Sequence, residues 1–199
     1  LTVLGAFTHG GHSYAGDDAV RAASADEVDG LTAVGEALRS AGHDITVLSA
    51  GSTPTALASA RGAVTEIRPG TYVYHDRLQM QLGSCEPSEV ALLVASTVVS
   101  RSAGRVVLDA GAKTLSKDLP ALLTGHGMLP SYPDAVITRV YDHHAVIEPG
   151  DGPLPRLGEV VAIIPNHVCP VVDLADEVTV VQGGRAVETW PVHARGRSR

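Results

Sequence analysis

The apolar and polar positions along the first third of the chain switch repeatedly between two periods. Leu1-Thr2-Val3-Leu4-Gly5-Ala6-Phe7 is a nearly continuous apolar run, as expected of a strand buried on both faces. A Gly/His-rich loop follows, His9-Gly10-Gly11-His12-Ser13-Tyr14-Ala15-Gly16. From Asp17 to Ala41 the apolar residues Val20, Val28, Leu31, Val34 and Leu38 fall on one helical face, with Asp17 and Asp18 suited to the N-terminus and Gly42 to the stop. Asp44 to Leu48 reads as a second strand that runs into Gly51-Ser52-Thr53-Pro54-Thr55; a short helical piece to Arg61 and a third strand, Ala63 to Ile67, complete the pattern. Strands alternating with helices imply a parallel sheet or barrel, in which ligands sit on the loops that leave the strand ends.

The pattern changes after about Gly83. Ala91 to Val99, Arg105 to Leu108, Ala135 to Val140, Val160 to Ile164 and Val178 to Val181 are short Val/Ile-rich runs, separated by turns such as Pro149-Gly150-Asp151-Gly152-Pro153 and Gln182-Gly183-Gly184. The sequence therefore predicts an α/β part over residues 1–83 and a mainly antiparallel β domain over 84–199. No internal repeat is visible, and the basic end Arg195-Gly196-Arg197-Ser198-Arg199 reads as a solvated tail.

Composition narrows the function. With 44% hydrophobic residues in 199, the chain can bury a sizeable core, and with aromatics at 4% that core is built from small aliphatics. A formal charge of -7 and a pI near 5.6 argue against a nucleic-acid or anionic membrane surface, so a phosphate would be held by backbone N–H groups rather than by a basic patch. No run approaches the ~20 apolar residues of a membrane span and no signal-like segment opens the chain, which points to the cytoplasm. Cys85 and Cys169 are then expected as thiols. The chain begins inside an apolar strand without Met, as a fragment would.

Two sets of residues carry candidate chemistry. In Pro165-Asn166-His167-Val168-Cys169-Pro170, an imidazole and a thiol stand two positions apart at the end of an apolar run, on one face if the backbone is extended. Nitrogen and sulfur donors suit zinc, and two protein ligands without a second Cys cluster leave positions open for water or substrate. A structural His/Cys pair in a plain β domain is the other reading. In the α/β part, His9, then Ser52 and Thr53, then Arg68-Pro69-Gly70-Thr71 each follow a strand end. Glycines, hydroxyls and free N–H groups there can cradle a phosphate, with an imidazole and a guanidinium near enough to hold a cofactor ring.

Taken in order, Thr8-His9, Gly51-Ser52-Thr53, Glu66-Ile67-Arg68-Pro69-Gly70-Thr71-Tyr72 and Pro165-Asn166-His167-Val168-Cys169-Pro170 resemble the C-terminal portion of fold-type III pyridoxal-phosphate enzymes. The likeness is strongest to the zinc-dependent D-serine dehydratase and D-threonine aldolase group, which shares its barrel with alanine racemase. It extends through Leu108-Asp109-Ala110-Gly111-Ala112-Lys113 to Trp190-Pro191-Val192. The resemblance implies the C-terminal part of an alanine racemase-like (β/α)8 barrel followed by a β domain with a metal site. It implies pyridoxal 5'-phosphate and Zn2+ as cofactors, with His9 and Tyr14 by the pyridine ring, Arg68 near the ring nitrogen, Ser52, Thr53, Gly70 and Thr71 on the phosphate, and His167 and Cys169 on the metal. Cysteine at 169 resembles the dehydratase branch more than the aldolase branch, which tends to carry Asp there. The implied reaction is dehydration of a small D-amino acid, D-serine to pyruvate and ammonia, with retro-aldol cleavage of a D-β-hydroxy amino acid as the close alternative.

The chain departs from the family in two respects. Tyr141-Asp142-His143-His144-Ala145 stands where relatives more often show Glu-His-Gly, which leaves Asp142 and His143 as polar residues or as supports of the metal site. Its only lysines, Lys113 and Lys117, both follow the barrel-like segment, whereas the family's Schiff-base lysine belongs to the first part of the barrel. The expectation is therefore a lyase fragment, inactive by itself and part of a homodimer when full length. The reading from another class is a non-catalytic pyridoxal-phosphate binder that needs no zinc.

Overall fold

The computed structural model describes residues 2–102, 104–148 and 150–197, without the side chain of Asp17. Leu1 of the opening run, Pro149 of the Gly/Pro turn, and Ser198 and Arg199 of the basic tail lie outside the described residues. The chain divides into two compact units, one of Leu1–His75 with Gln79–Glu89, the other of Asp76–Leu78 with Val90–Arg199.

In the first unit, β1 (Gly5–Phe7), α1 (Asp17–Ser40), β2 (Val47–Ala50), α2 (Ala56–Ser59) and β3 (Glu66–Ile67) follow one another, and the strands pair in parallel in the order β1-β2-β3. The strands are shorter than the apolar runs. The Leu4 carbonyl takes the N–H groups of both Thr46 and Val47, so regular pairing begins only at Gly5 and Val47, later than the expected strand starts. Leu31, Ile45, Leu48 and Ala50 form the core, with Ala6, Leu38, Ala63, Val64 and Ile67 packed on it.

The helix from Asp17 forms as its spacing predicts, with Val28 and Leu31 buried and Leu38 packed on the core as expected, but its inward face departs from the expected one at Val34. Val34 is 45% exposed. Gly35 takes the inward place because Leu48 presses there: a Cβ at Gly35 would stand 3.0 Å from Leu48 Cδ1. Glu27, at 2% exposure, also points inward, where its carboxylate accepts the Gly10 N–H at 2.8 Å and the Ser59 hydroxyl at 2.6 Å. A buried carboxylate requires such donors. It ties the loop after β1 to the end of α2.

The short α3 (Arg77–Gln81) spans the change of unit. The second unit contains β4 (Val94–Ser102), β5 (Arg105–Leu108), α4 (Ala112–Leu115), β6 (Val136–Val140), β7 (Ala145–Glu148), β8 (Val160–Ile163), α5 (Val168–Leu174), β9 (Glu177–Gln182) and β10 (Arg185–Pro191). Five strands make an antiparallel sheet in the order β6-β7-β5-β4-β8, and β9 and β10 form a separate hairpin. Along the first half of β4 the side chains of Val94, Ser96 and Val98 turn inward in strict alternation. Val94 and Val98 join Val106, Leu108, Leu129, Ile137, Ile147 and Ile163 in the core. Among the described residues, no helix is long and apolar enough to cross a membrane.

Gly111 marks a close approach in this unit. Its φ of -106° is open to any residue, but a Cβ there would lie 2.4 Å from both the His144 nitrogen and the Tyr141 carbonyl oxygen. The start of α4 is thereby docked on the β6–β7 loop, with Ala112 N–H on the Tyr141 carbonyl at 2.7 Å and Lys113 N–H on that of Asp142 at 3.0 Å.

Candidate functional site

Within the first unit, the loops that leave β2 and β3 come together. Gly51 takes φ +84°, the left-handed region that favours glycine, and turns the chain so that Ser52 is buried. The Thr55 hydroxyl accepts the Ser52 N–H at 3.0 Å and lies 3.3 Å from its Oγ. Thr71 Oγ1 donates to Thr53 Oγ1 at 2.9 Å, linking the two loops directly. Gly70 has open space where a Cβ would project. Of the sequence candidates, Ser52, Thr53, Gly70 and Thr71 thus form one polar rim at the C-terminal ends of parallel strands, the usual place for a phosphate in α/β sheets. A ring of hydroxyls beside an uncrowded glycine fits a phosphate group.

Arg68 crosses the same end of the sheet. Its Nε donates to Ser49 Oγ at 2.9 Å, its Nη2 to the Thr8 carbonyl, and its guanidinium lies 5.4 Å from the Phe7 ring centroid. Ser49 Oγ in turn donates to Glu66 Oε1 at 2.5 Å. A residue expected near a cofactor ring is therefore held by all three strands, in a fixed direction. His9 and Tyr14 form a tilted ring pair, centroids 6.2 Å apart at 41°. Tyr14 belongs to a short 3-10 turn, Gly11–Ala15, inside what the sequence presents as plain loop.

His167 and Cys169 lie in the second unit, and their backbone is not the extended one expected. The strand β8 ends at Ile163; His167 is the N-cap of α5 and Cys169 its second residue. Pro170 explains this, because a proline in the first helical turn gives up an N–H that has no intrahelical partner anyway. The two side chains are still close. Cys169, then Asp118, outweigh the opposing effect of burial and push the His167 imidazole up to about 9. His167 Nδ1 stands 2.6 Å from Asp118 Oδ2. Cys169 is exposed and the His167 side chain is one-third exposed.

An imidazole and a thiol adjacent on one accessible turn fit a zinc ion by donor type. Among the described residues, no cluster of three or more His, Cys, Asp or Glu side chains is arranged to hold a metal. The pair would leave positions free for water or substrate.

The turn is clasped by residues that the sequence reading passed over. Arg77 N–H donates to the Pro165 carbonyl at 3.0 Å and Leu78 N–H to that of Asn166 at 3.2 Å, while Asp76, fully buried, accepts the Val168 N–H at 2.9 Å. Asn166, at 2% exposure, donates Nδ2 to the Gly125 and Asp118 carbonyls at 2.8 and 3.2 Å and accepts from Arg77 Nη1 at 3.2 Å. Arg77 Nη1 also reaches the Thr124 carbonyl at 2.8 Å, and burial lowers the pKa of its guanidinium. A local reading cannot see these residues, because each partner is about 40 to 90 positions away. The one available signal was Asp76-Arg77, a charged pair outside any amphipathic pattern. Asp142 and His143 are exposed on the β6–β7 loop, where Asp142 pairs with Lys113 at 3.7 Å.

Residues 91–181 match the family model described as putative serine dehydratase domain. The chain is 45% identical to an uncharacterized protein of Mycobacterium tuberculosis over 129 residues, 62% of this chain and 97% of that one. It is 33% identical to D-threo-3-hydroxyaspartate dehydratase from Delftia sp. over 94% of its own length and 54% of the enzyme's, and superimposes on that structure with a TM-score of 0.85, covering 95% of this chain and 55% of the other. D-threonine aldolase from Filomicrobium marinum matches at 30% identity and a TM-score of 0.82, covering 100% of this chain and 55% of that one. The chain thus spans about half the length of these enzymes. Solved structures of D-threo-3-hydroxyaspartate dehydratase, 32% identical to this chain, include a histidine-to-alanine variant and a cysteine-to-alanine variant in the metal-free form, replaced two positions apart.

Proposed function

Because the chain belongs to the family of the putative serine dehydratase domain, a group with the alanine racemase-like fold, we propose that it is the C-terminal part of a pyridoxal-phosphate- and zinc-dependent lyase acting on D-β-hydroxy amino acids. The observation that carries this reading is the His167 and Cys169 pair on the first turn of α5. It has the two-residue spacing of the histidine and cysteine replaced in the D-threo-3-hydroxyaspartate dehydratase variants. His167 and Cys169 hold the metal; Ser52, Thr53, Gly70 and Thr71 take the phosphate; His9, Tyr14 and Arg68 border the cofactor ring. When bound, pyridoxal phosphate supplies an electron sink for the bond broken at Cα, and zinc a Lewis acid for the β-hydroxyl.

This chain's own residues bind and orient. The Thr53–Thr71 hydroxyl pair fixes two loops around one anion, and Arg68, held by Ser49 and Thr8, keeps its guanidinium from swinging into the substrate's place. The clasp from Asp76 and Arg77 keeps the His167 turn in register. Lys113 is paired with Asp142, and the cofactor-linking lysine is assigned to a part of the protein outside these residues. With D-serine, the elements of water leave Cα and Cβ, water re-enters on hydrolysis, and pyruvate and ammonia result. The complete protein is expected to act as a homodimer.

The test is product analysis of the full-length protein with D-serine, D-threo-3-hydroxyaspartate and D-threonine. A 2-oxo acid and ammonia, lost with a chelator and with His167→Ala or Cys169→Ala, are the expected result. Glycine and an aldehyde would establish the aldolase instead, an alternative supported by the 30% identity to D-threonine aldolase. Cofactor binding with no turnover of any substrate would sink the lyase reading in favour of a carrier.

A further inference from the structure

Resting on the metal reading of His167 and Cys169, we propose that Asp118 is a positioning residue of that site: it holds the His167 imidazole with its proton on Nδ1, so that Nε2 is the atom offered to the metal. An ionised carboxylate only accepts, so at 2.6 Å the Nδ1 atom must be the donor, and the lone pair of the metal-binding imidazole then resides on Nε2. This is the general logic by which a second residue orients a ligating histidine and raises its basicity.

A casual surface ion pair would have the same distance, so the support lies in how Asp118 is held. Ser116, just past α4, takes φ +62°, a left-handed conformation that a non-glycine residue adopts only when its surroundings impose it. That turn lets Ser116 Oγ accept the Asp118 N–H at 2.8 Å. The Asp118 carbonyl is taken by Asn166 Nδ2 at 3.2 Å. Asn166 is the residue immediately before His167 and is almost wholly buried. One buried amide therefore fixes the backbones of both partners, and a strained turn presents the carboxylate. Lys117, next to Asp118, is exposed and forms no part of this arrangement, which makes it the natural control.

The experiment is zinc affinity of the 199-residue chain, measured by competition with a chromophoric chelator, for the unsubstituted protein and for Asp118→Ala, Asp118→Asn, Lys117→Ala and Cys169→Ala. Expected is a loss of about 10–100-fold for Asp118→Ala. Asp118→Asn, whose amide oxygen still accepts from Nδ1, should retain most of the affinity, Lys117→Ala should be unchanged, and Cys169→Ala should bind weakly. A purely structural role would not change the tautomer. In zinc-loaded protein, long-range 1H–15N spectra of His167 should therefore show hydrogen on Nδ1 and metal on Nε2, and should lose that single pattern in Asp118→Ala. Equal zinc affinity and identical His167 spectra for the unsubstituted chain and Asp118→Ala would overturn the role of Asp118 alone. Failure of the unsubstituted chain to bind zinc at all would overturn the metal reading together with it.

Discussion

Replacing Asn166 with Ala should strongly damage the turn that carries His167 and Cys169, the two proposed ligands, without replacing either of them. The side chain makes three hydrogen bonds inside the second unit, to the Gly125 carbonyl at 2.8 Å, the Asp118 carbonyl at 3.2 Å and from Arg77 Nη1 at 3.2 Å. Each is worth about 1 kcal/mol net, and a buried group left without a partner costs about 1–3 kcal/mol. Arg77 Nη1 keeps the Thr124 carbonyl at 2.8 Å and still reaches that of Gly125 at 3.4 Å, so the carbonyl left without its side-chain donor is that of Asp118. The sum is about 3 kcal/mol, a large share of a typical domain stability of about 5–15 kcal/mol. Urea unfolding followed by far-ultraviolet circular dichroism measures it: with a slope of about 2 kcal/mol/M, the midpoint should fall by about 1.5 M. Zinc affinity should fall as well, because Asn166 anchors the backbone on both sides of the Asp118–His167 contact. A midpoint shift below about 0.3 M would refute the reasoning, since the amide would then be exchanging its protein partners for water without cost.

Three further outcomes follow from the same geometry. Glu27→Ala should destabilise the first unit by about 2–3 kcal/mol, by leaving the Gly10 N–H and Ser59 hydroxyl without their acceptor, and should speed hydrogen exchange at Gly10. For Asp109, burial raises the pKa, but the Thr97 N–H and the Ser96 hydroxyl together lower it below the ordinary 3.8. The stability this adds is present above that unfolded value and is lost as pH falls through the lower folded one. The gap in urea midpoint between the parent and Asp109→Asn should accordingly be widest from pH 5 upward and close in stronger acid; a gap independent of pH would count against it. Gly111→Ala drives a methyl into the backbone of Tyr141, His143 and His144, and should lower the melting temperature by an amount equivalent to about 1–3 kcal/mol, whereas Gly30→Ala, on the open side of α1, should not.

The sequence disclosed the elements that a periodic pattern can mark. The helix from Asp17, the Val/Ile strand Arg105–Leu108 and the later run of strands are all legible because one face of each is apolar. β7 was missed because Ala145–Glu148 is short and lies just past the irregular Tyr141–His144 loop; β10 because Arg185–Pro191 is exposed throughout and carries no buried stripe. His167 and Cys169 were legible as a pair of donors, but not as the start of a helix, since Pro170 reads as a breaker unless the first turn is already known. Asp118 carries no local signal, and Asp76 and Arg77 only that of a charged pair outside any amphipathic pattern. What gives each its role is a partner far along the chain, and nothing in the local composition announces it.

The bond from Val168 N–H to Asp76 closes a loop of 92 residues, and this has a consequence for how the protein comes to be made. Bringing such distant points together costs about 4 kcal/mol of chain entropy by the logarithmic loop law, a cost that local turns escape. The turn carrying His167 and Cys169 should therefore be among the last parts of the second unit to set. While the chain is still emerging from the ribosome, Asp76 is available long before its partner has been synthesised. On the proposed metal reading, capture of the ion with full affinity would then be a late event in biosynthesis, and the ion would in effect report that the five-stranded sheet is complete.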